Sequence, residues 1–482
     1  MNRRMVFHTV GLIVLLEAVL LLIPAAVSLL YREESAKAFF LTILFALLAG
    51  ALLILPFRPK SRVIYAKEGF AITSMAWLIL SAIGALPFFL SGQIPHYIDA
   101  FFETVSGFTT TGASILPKVE ELDHGLLFWR SFTHWIGGMG VLVFLAAFLP
   151  NLSGQSIHIL RAEMPGPTVG KLQPRVQDTA KILYIIYIVM TAVQILLLCA
   201  GGMDLFGSAI HAFGTAGTGG FGIYSDSAAS LTPYQLWVIT IFMLLFGVNF
   251  NLYYYILIRR VRAALRSLEL WAYLGLVILS VTIICINVSH LYEGFGTTLR
   301  HSAFQVASII TTTGFSSVDF NAWPALSKSI LLLLMFCGAC AGSTAGGIKI
   351  SRLILFFKNC HAEFRYMIHP RSVNVLKMDG KRVEKETQKG VMVYLVLYLI
   401  CFAAIFFLIS FNGFDFETNF SATAACFNNV GPGFAGVGPL SSFAAYSPFS
   451  KLVLSFAMLF GRLEIWPILL TLYPAAWRAR QR

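Results

Sequence analysis

The chain has 482 residues, of which 57% are apolar and 12% charged, with a net charge of +12. Soluble proteins carry roughly 25% charged residues, and the mean hydropathy here is +0.76. A soluble globular enzyme, a disordered chain and a fibrous chain are excluded, which leaves an all-α polytopic membrane protein.

About 20 apolar residues cross a bilayer. In chain order, the apolar runs predict ten full spans, at 6–30, 38–56, 69–90, 126–149, 181–201, 234–257, 268–290, 327–357, 391–411 and 449–473. The first follows Arg3 and Arg4. Its run is longer than the apolar region of a signal peptide and no small-residue cleavage site follows, so it is expected to be retained. With both termini in the cytoplasm, inner loops hold most lysines and arginines: Arg58, Lys60 and Arg62; Arg161, Lys171 and Arg175; Arg259 to Arg266; Arg352 to Lys389; and the tail Arg478, Arg480 and Arg482. Outer loops are mostly acidic, with Glu33, Glu120, Asp204, Asp226, Asp319 and Asp415 among them. That asymmetry sets the orientation and accounts for the net charge without a nucleic-acid partner. The basic segment 358–390 reads either as a loop obeying this rule or as a docking surface for a cytosolic partner or anionic lipid.

Four further outer segments are too apolar for loops and too short for spans: Tyr97–Ser114, Leu205–Gly222, Leu299–Ser316 and Phe416–Gly433. Each ends in a glycine turn, which suits a re-entrant half-helix. They align on Gly112, Gly220, Gly314 and Gly431, and each lies between two full spans. The unit of span, half-helix, glycine turn and span therefore repeats four times. Repeats one and three are nearly identical, with Thr109-Thr110-Thr111-Gly112 and Thr311-Thr312-Thr313-Gly314. Repeat two has Thr218-Gly219-Gly220, and repeat four has Asn428-Asn429-Val430-Gly431. The expected division is a leading pair of helices at 1–66 and repeats at 67–155, 156–264, 265–388 and 389–482.

Irregular backbone at membrane depth survives only where protein or a water-filled cavity surrounds it. Four such turns about one axis would form a ring of carbonyl oxygens able to replace the hydration shell of a monovalent cation. Glycine lets carbonyls be aimed where other residues would be strained. The half-helices would point their C-terminal dipole ends, about −0.5 charge each, at the centre. No carboxylate lies in the turns, which argues against a divalent ion. Gly217, Gly219 and Gly222 match a dinucleotide-binding spacing, but no strand precedes them and no helix follows at once, so the match is accidental.

Within 327–357, four glycines lie between Gly338 and Gly347. Each costs about 1 kcal/mol against alanine in a helix, so a break is expected. It is either a flexible gate or a seam of small residues packing two helices closely. The gate candidates are Gly338, Gly342, Ser343, Thr344, Gly346, Gly347 and Lys349. Arg462 lies deep in the last span, with Glu464 after it; a buried charge there faces a cavity or a partner. It reads either as an internal Arg–Glu pair or as a fixed positive charge beside the gate, and Lys349 could share either role. Arg130, His134, Asn249 and Asn251 read as packing or vestibule residues. Cys337 and Cys340 have C-x-x-C spacing but no second pair, so they read as small packing residues. No catalytic cluster is present, and an enzyme is not expected.

These turns, the segment from Gly338 to Lys349 and the Gly461-Arg462 pair resemble those of the Trk/Ktr/HKT superfamily of potassium transport proteins, most closely its TrkH/TrkG branch. The resemblance spans essentially the whole chain, and the two leading spans favour that branch. It implies four pseudo-symmetric pore units around one pore, with a potassium filter at Thr110-Thr111-Gly112, Thr218-Gly219-Gly220, Thr312-Thr313-Gly314 and Asn429-Val430-Gly431. It implies that the broken third-repeat helix is the gate, with Arg462 beside it. It further implies a homodimer in a bacterial cytoplasmic (inner) membrane, bound by a cytosolic TrkA-type nucleotide-binding regulator that would carry any NAD or ATP. Gly112, where a serine would suggest sodium permeability, favours potassium. A proton- or sodium-coupled symporter is the alternative; Glu17 and Glu464 are the obvious acids at depth.

Overall fold

The computed structural model describes residues 1–57, 59, 65–140, 176–371 and 375–477. Predicted features at Arg58, Lys60, Arg62, 141–175 (with Arg161, Lys171 and Arg175) and the tail Arg478, Arg480 and Arg482 lie outside the described residues. The described chain is mostly helical; its strands are two short pairings of two residues each. Among the described residues, six helices are long and apolar enough to cross a membrane, and eight if each sharply bent pair is one span.

The leading pair, Arg3–Leu30 and Ser35–Ile54, forms a hairpin. The two helices meet at Gly11 and Gly50: a Cβ on Gly11 would lie 3.0 Å from the Gly50 carbonyl oxygen. Small residues at a crossing let apolar helices approach closely where no hydrophobic force drives them together.

The four predicted half-helices are present as Tyr97–Phe108, Leu205–Ala216, Phe295–Ile310 and Phe416–Phe427. Two start at acidic caps: Asp204 accepts from Gly207 N at 3.1 Å and Asp415 from Thr418 N at 3.1 Å. A cap satisfies one of the free amides at a helix start and favours the positive end of its dipole. Three of the short helices pack against a helix of the preceding predicted unit: Leu205–Ala216 on His124–Met139, Phe295–Ile310 on Pro233–Phe246, and Phe416–Phe427 on Ala325–Phe336. Tyr97–Phe108 packs on Pro448–Arg462 from the last repeat, which closes the circle. Lys451 and Asp99, 2.7 Å apart, tie that closing contact.

Two predicted spans need correction. The run 234–257 is two helices, Pro233–Phe246 and Phe250–Leu257, bent by 89°, and 449–473 is Pro448–Arg462 and Trp466–Leu472, bent by 118°. At the first bend the freed backbone groups pair with the third repeat: the Gly247 carbonyl accepts from Cys340 N at 3.1 Å, and Phe250 N donates to the Gly342 carbonyl at 3.0 Å. At the second, Glu464 and Ile465 both have positive φ, 55° and 69°, and Pro467 restarts the helix. The break in 327–357 is as expected: helix Ala325–Phe336 stops, and helix Ile350–Ile368 begins only after a loop.

Candidate functional site

The four short helices end alike. At the first turn position, Thr110, Thr218, Thr312 and Asn429 have φ of 55°, 55°, 55° and 56°. The next amide folds back on the helix in every case: Thr111 N to Ser106 O, Gly219 N to Gly214 O, Thr313 N to Ser308 O and Val430 N to Ala425 O, at 2.8–2.9 Å. This is a helix-ending motif usually made by glycine. A residue with a Cβ pays about 1–2 kcal/mol for it. Four such residues at equivalent places mark a geometry held by its surroundings.

The shared glycines then show why no side chain fits. A Cβ on Gly112 would strike the Gly219 carbonyl oxygen, one on Gly220 that of Thr313, and one on Gly314 that of Val430. One on Gly431 would lie 2.7 Å from the Thr111 carbonyl oxygen. Each glycine thus abuts the middle residue of the next turn, and the fourth abuts the first. All twelve predicted filter residues are brought together in this ring. Repeats one and three match down to their hydroxyls: Thr109 and Thr111 Oγ1 are 2.8 Å apart, as are those of Thr311 and Thr313. Asn429 in repeat four bridges the gap, donating to Thr111 Oγ1 and to the Met458 carbonyl, both at 2.9 Å. Thr110 Oγ1 and Asn429 Oδ1 are buried oxygens without a hydrogen-bond partner. Asn429 Oδ1 faces Gly346 of the loop and Gly461 of the last long helix.

Above the ring lies a cavity of 190 Å³ lined by all four glycines, with Arg130 and Tyr224 in its wall. Below the ring lies the broken segment. Its ends pair in parallel, Cys337 with Ile348 and Gly338 with Lys349, so the loop closes on itself. Gly346 N donates to Thr312 Oγ1 of the third turn at 2.7 Å. A Cβ on Gly346 would be 2.6 Å from the Asn428 carbonyl oxygen of the fourth. Arg462, at the end of helix Pro448–Arg462, donates to the Thr344 carbonyl at 2.8 Å and to the Gly137 and Gly138 carbonyls at 2.5 and 2.8 Å. Lys349 donates to the Ala345 and Gly346 carbonyls, within the loop itself. Glu464 pairs with Arg352, Nη1 to Oε1 at 2.8 Å. The loop therefore touches or is tied to all four repeats.

Sequence reading missed several supporting residues. In the first three repeats a polar residue stands nine places before the glycine: Glu103, His211 and Gln305. Glu103 accepts from Ile115 N at 2.9 Å, and Gln305 donates to Ser316 Oγ at 2.9 Å. In repeat four, Ser421, one place earlier, accepts from Phe434 N at 2.9 Å. Glu103, Gln305 and Ser421 each grip the chain as it leaves its turn, whereas His211 bonds the Gly207 carbonyl of its own helix at 2.8 Å. Aligning the repeats on glycine offered this signal. Glu269 was also missed. Its Oε1 accepts from Ala341 N at 2.7 Å and from Ser351 N at 3.0 Å, so one buried oxygen holds both ends of the loop.

A chain of long apolar helices built around such a ring is an integral membrane protein. It belongs to the TrkH family of cation transport proteins, which it matches over residues 35–285 and 276–477. It is 36% identical to the Trk system potassium uptake protein TrkH of Salmonella typhimurium, over 99% of this chain and 100% of that one. It is 34% identical to the uptake protein TrkG of Escherichia coli, over 99% of each. The crystal structure of the potassium transporter TrkH from Vibrio parahaemolyticus superposes with a TM-score of 0.88 at 31% identity, covering 99% of this chain and 100% of that one. These relatives are transport proteins, and the chain is not an enzyme.

Proposed function

We propose that this protein takes up potassium across the cytoplasmic membrane through a carbonyl-lined filter with an intramembrane gate. The carrying observation is the cyclic contact of Gly112, Gly220, Gly314 and Gly431 with the next turn's carbonyl. It supports a ring of oxygens from Thr110-Thr111-Gly112, Thr218-Gly219-Gly220, Thr312-Thr313-Gly314 and Asn429-Val430-Gly431 as the potassium ligands. Four short helices aim their negative ends at that ring, which favours a cation and disfavours an anion. The same contacts support a division into four units, taken at 67–155, 156–264, 265–388 and 389–482. The loop from Gly338 to Lys349 closes the inner side, with Arg462 as a fixed charge beside it. The named relatives are potassium uptake proteins, which favours potassium as the cargo.

Both termini would be cytoplasmic. A homodimer bound by a nucleotide-binding regulatory subunit of the TrkA type would use the basic inner face, where helix Ile350–Ile368 leads to the pairing of Lys377–Met378 with Lys381–Arg382. Any NAD or ATP would sit on that subunit. The symporter alternative draws less support: Glu464 is engaged by Arg352, and Glu17 is packed beside Gly84.

The test is tracer flux in liposomes holding the purified chain, without proton or sodium gradients. Rubidium is expected to run down its own gradient and to outpace sodium by about tenfold or more. Flux that appears only with an imposed proton or sodium gradient would favour the symporter.

The role of Glu269 gives a second expectation. Glu269→Ala removes the acceptor for Ala341 N and Ser351 N and is expected to raise basal rubidium flux by about tenfold, the worth of one to two hydrogen bonds. Glu269→Gln keeps an oxygen in place and is expected to stay near the basal rate. Equal flux in the alanine variant and the parent would remove Glu269 from the closing mechanism.

A further inference from the structure

The seam between the first and second turns is built unlike the other three. Helix His124–Met139 places Arg130 and His134 one turn apart on the same face. Arg130 Nε donates to Glu103 Oε1 at 2.6 Å, with the two side chains 4% and 0% exposed. Glu103 in turn holds Ser114 Oγ and Ile115 N, both at 2.9 Å, where the chain leaves the first turn. Arg130 Nη1 reaches the Gly222 carbonyl at 3.3 Å, where the chain leaves the second turn. Its guanidinium lies over the Phe221 ring, 3.4 Å from the centroid. His134 completes the wedge. Its Nδ1 is 2.7 Å from the Gly107 carbonyl, and its ring fills the space a Cβ on Gly219 would need. In repeats three and four the same task falls to neutral Gln305 and Ser421.

A buried ion pair adds little stability over an apolar pair of similar size. Its geometry is what a neutral pair cannot copy: a planar fork with five donors spans two partners at once. We infer that the Glu103–Arg130 pair is a specificity-determining support that fixes the spacing between the first and second filter turns. The inference rests on the filter reading above. Both residues act as positioning residues, through the turns they hold. Since each turn's carbonyls meet the next turn's glycine, a loosened seam widens the ring on one side. A wider ring coordinates sodium and potassium more equally.

Two variants test it by rubidium and sodium tracer flux, with the melting temperature in detergent measured alongside. Arg130→Lys keeps the ion pair but loses the second donor to Gly222 and the flat face on Phe221. It is expected to lower the rubidium-over-sodium ratio by about threefold to tenfold, the worth of one lost hydrogen bond, with little change in melting. The double variant Glu103→Gln with Arg130→Met removes both charges, so no unpaired ion opposes folding. It is expected to melt near the parent yet lose at least as much selectivity. A parental ratio in either folded variant would overturn the inference. A parent with no preference for rubidium would overturn the filter reading itself.

Discussion

Gly314→Ser is expected to lower rubidium-over-sodium selectivity by about tenfold or more and to leave the protein folded. Gly314 has a φ of 84°, where a side chain costs about 1–2 kcal/mol. That strain alone is small beside the stability of a large bundle. The larger effect is local. A Cβ at Gly314 would strike the Val430 carbonyl oxygen, with the Pro432 ring 3.0 Å away, so the third and fourth turns must part. Carbonyls that part no longer match one ion's coordination shell. Gly294→Ser separates the two causes. Gly294 has a φ of 83° but open space where its Cβ would go. It carries the same backbone strain and is expected to keep the parental ratio. Tracer flux of both ions through purified protein reads the result, and a parental ratio in folded Gly314→Ser would remove that turn from the filter.

The parts of this architecture that rest on local chemistry were legible in the sequence. Four glycine turns after apolar half-helices stand out because only glycine fits both the backbone angle and the close contact. The break between Gly338 and Gly347 stands out because so many glycines weaken a helix. The bend at Val248 was not legible, because its cause is tertiary, and that at Glu464–Ile465 was legible only in part, through Pro467. The first is held by the loop of another repeat, and the second by Arg352 gripping Glu464. The placement of Glu464 could have been anticipated in part. Residues two apart on a helix do not face each other, so a helical Arg462–Glu464 pair was disfavoured. The supports behind the turns were half-visible. Glu103 and Gln305 align, but His211 at the same place bonds its own helix and the fourth unit uses Ser421 one place earlier, so the pattern is hidden. Glu269 gave no signal, since an acid in the first turn of a helix is an ordinary dipole partner.

The largest change in flux is expected from removing the loop. Replacing Ala339–Gly347 by four glycines is feasible because the paired ends Cys337–Gly338 and Ile348–Lys349 are neighbours, about 5 Å apart as strands. The flanking helices need not move. The replacement deletes the bond from Gly346 N to Thr312, the bond from Ala341 N to Glu269 and the bond from Arg462 to the Thr344 carbonyl, along with the two that hold the bend at Val248, Cys340 N to the Gly247 carbonyl and Phe250 N to the Gly342 carbonyl. At about 1 kcal/mol for a neutral hydrogen bond and about 2 for a charged one, the first three favour the closed arrangement by roughly 5 kcal/mol. A closed state so favoured leaves well under about 1% of molecules open, so basal rubidium flux is expected to rise about a hundredfold. Arg462 would keep its bonds to Gly137 and Gly138, so the fixed charge stays near its place and the rise isolates the loop. Selectivity should hold, because the carbonyl ring is made by the turns and not by the loop. Unchanged or lower flux in a monodisperse variant would show that the loop does not close the path, whereas a rise with lost selectivity would show that the loop also braces the ring through Thr312.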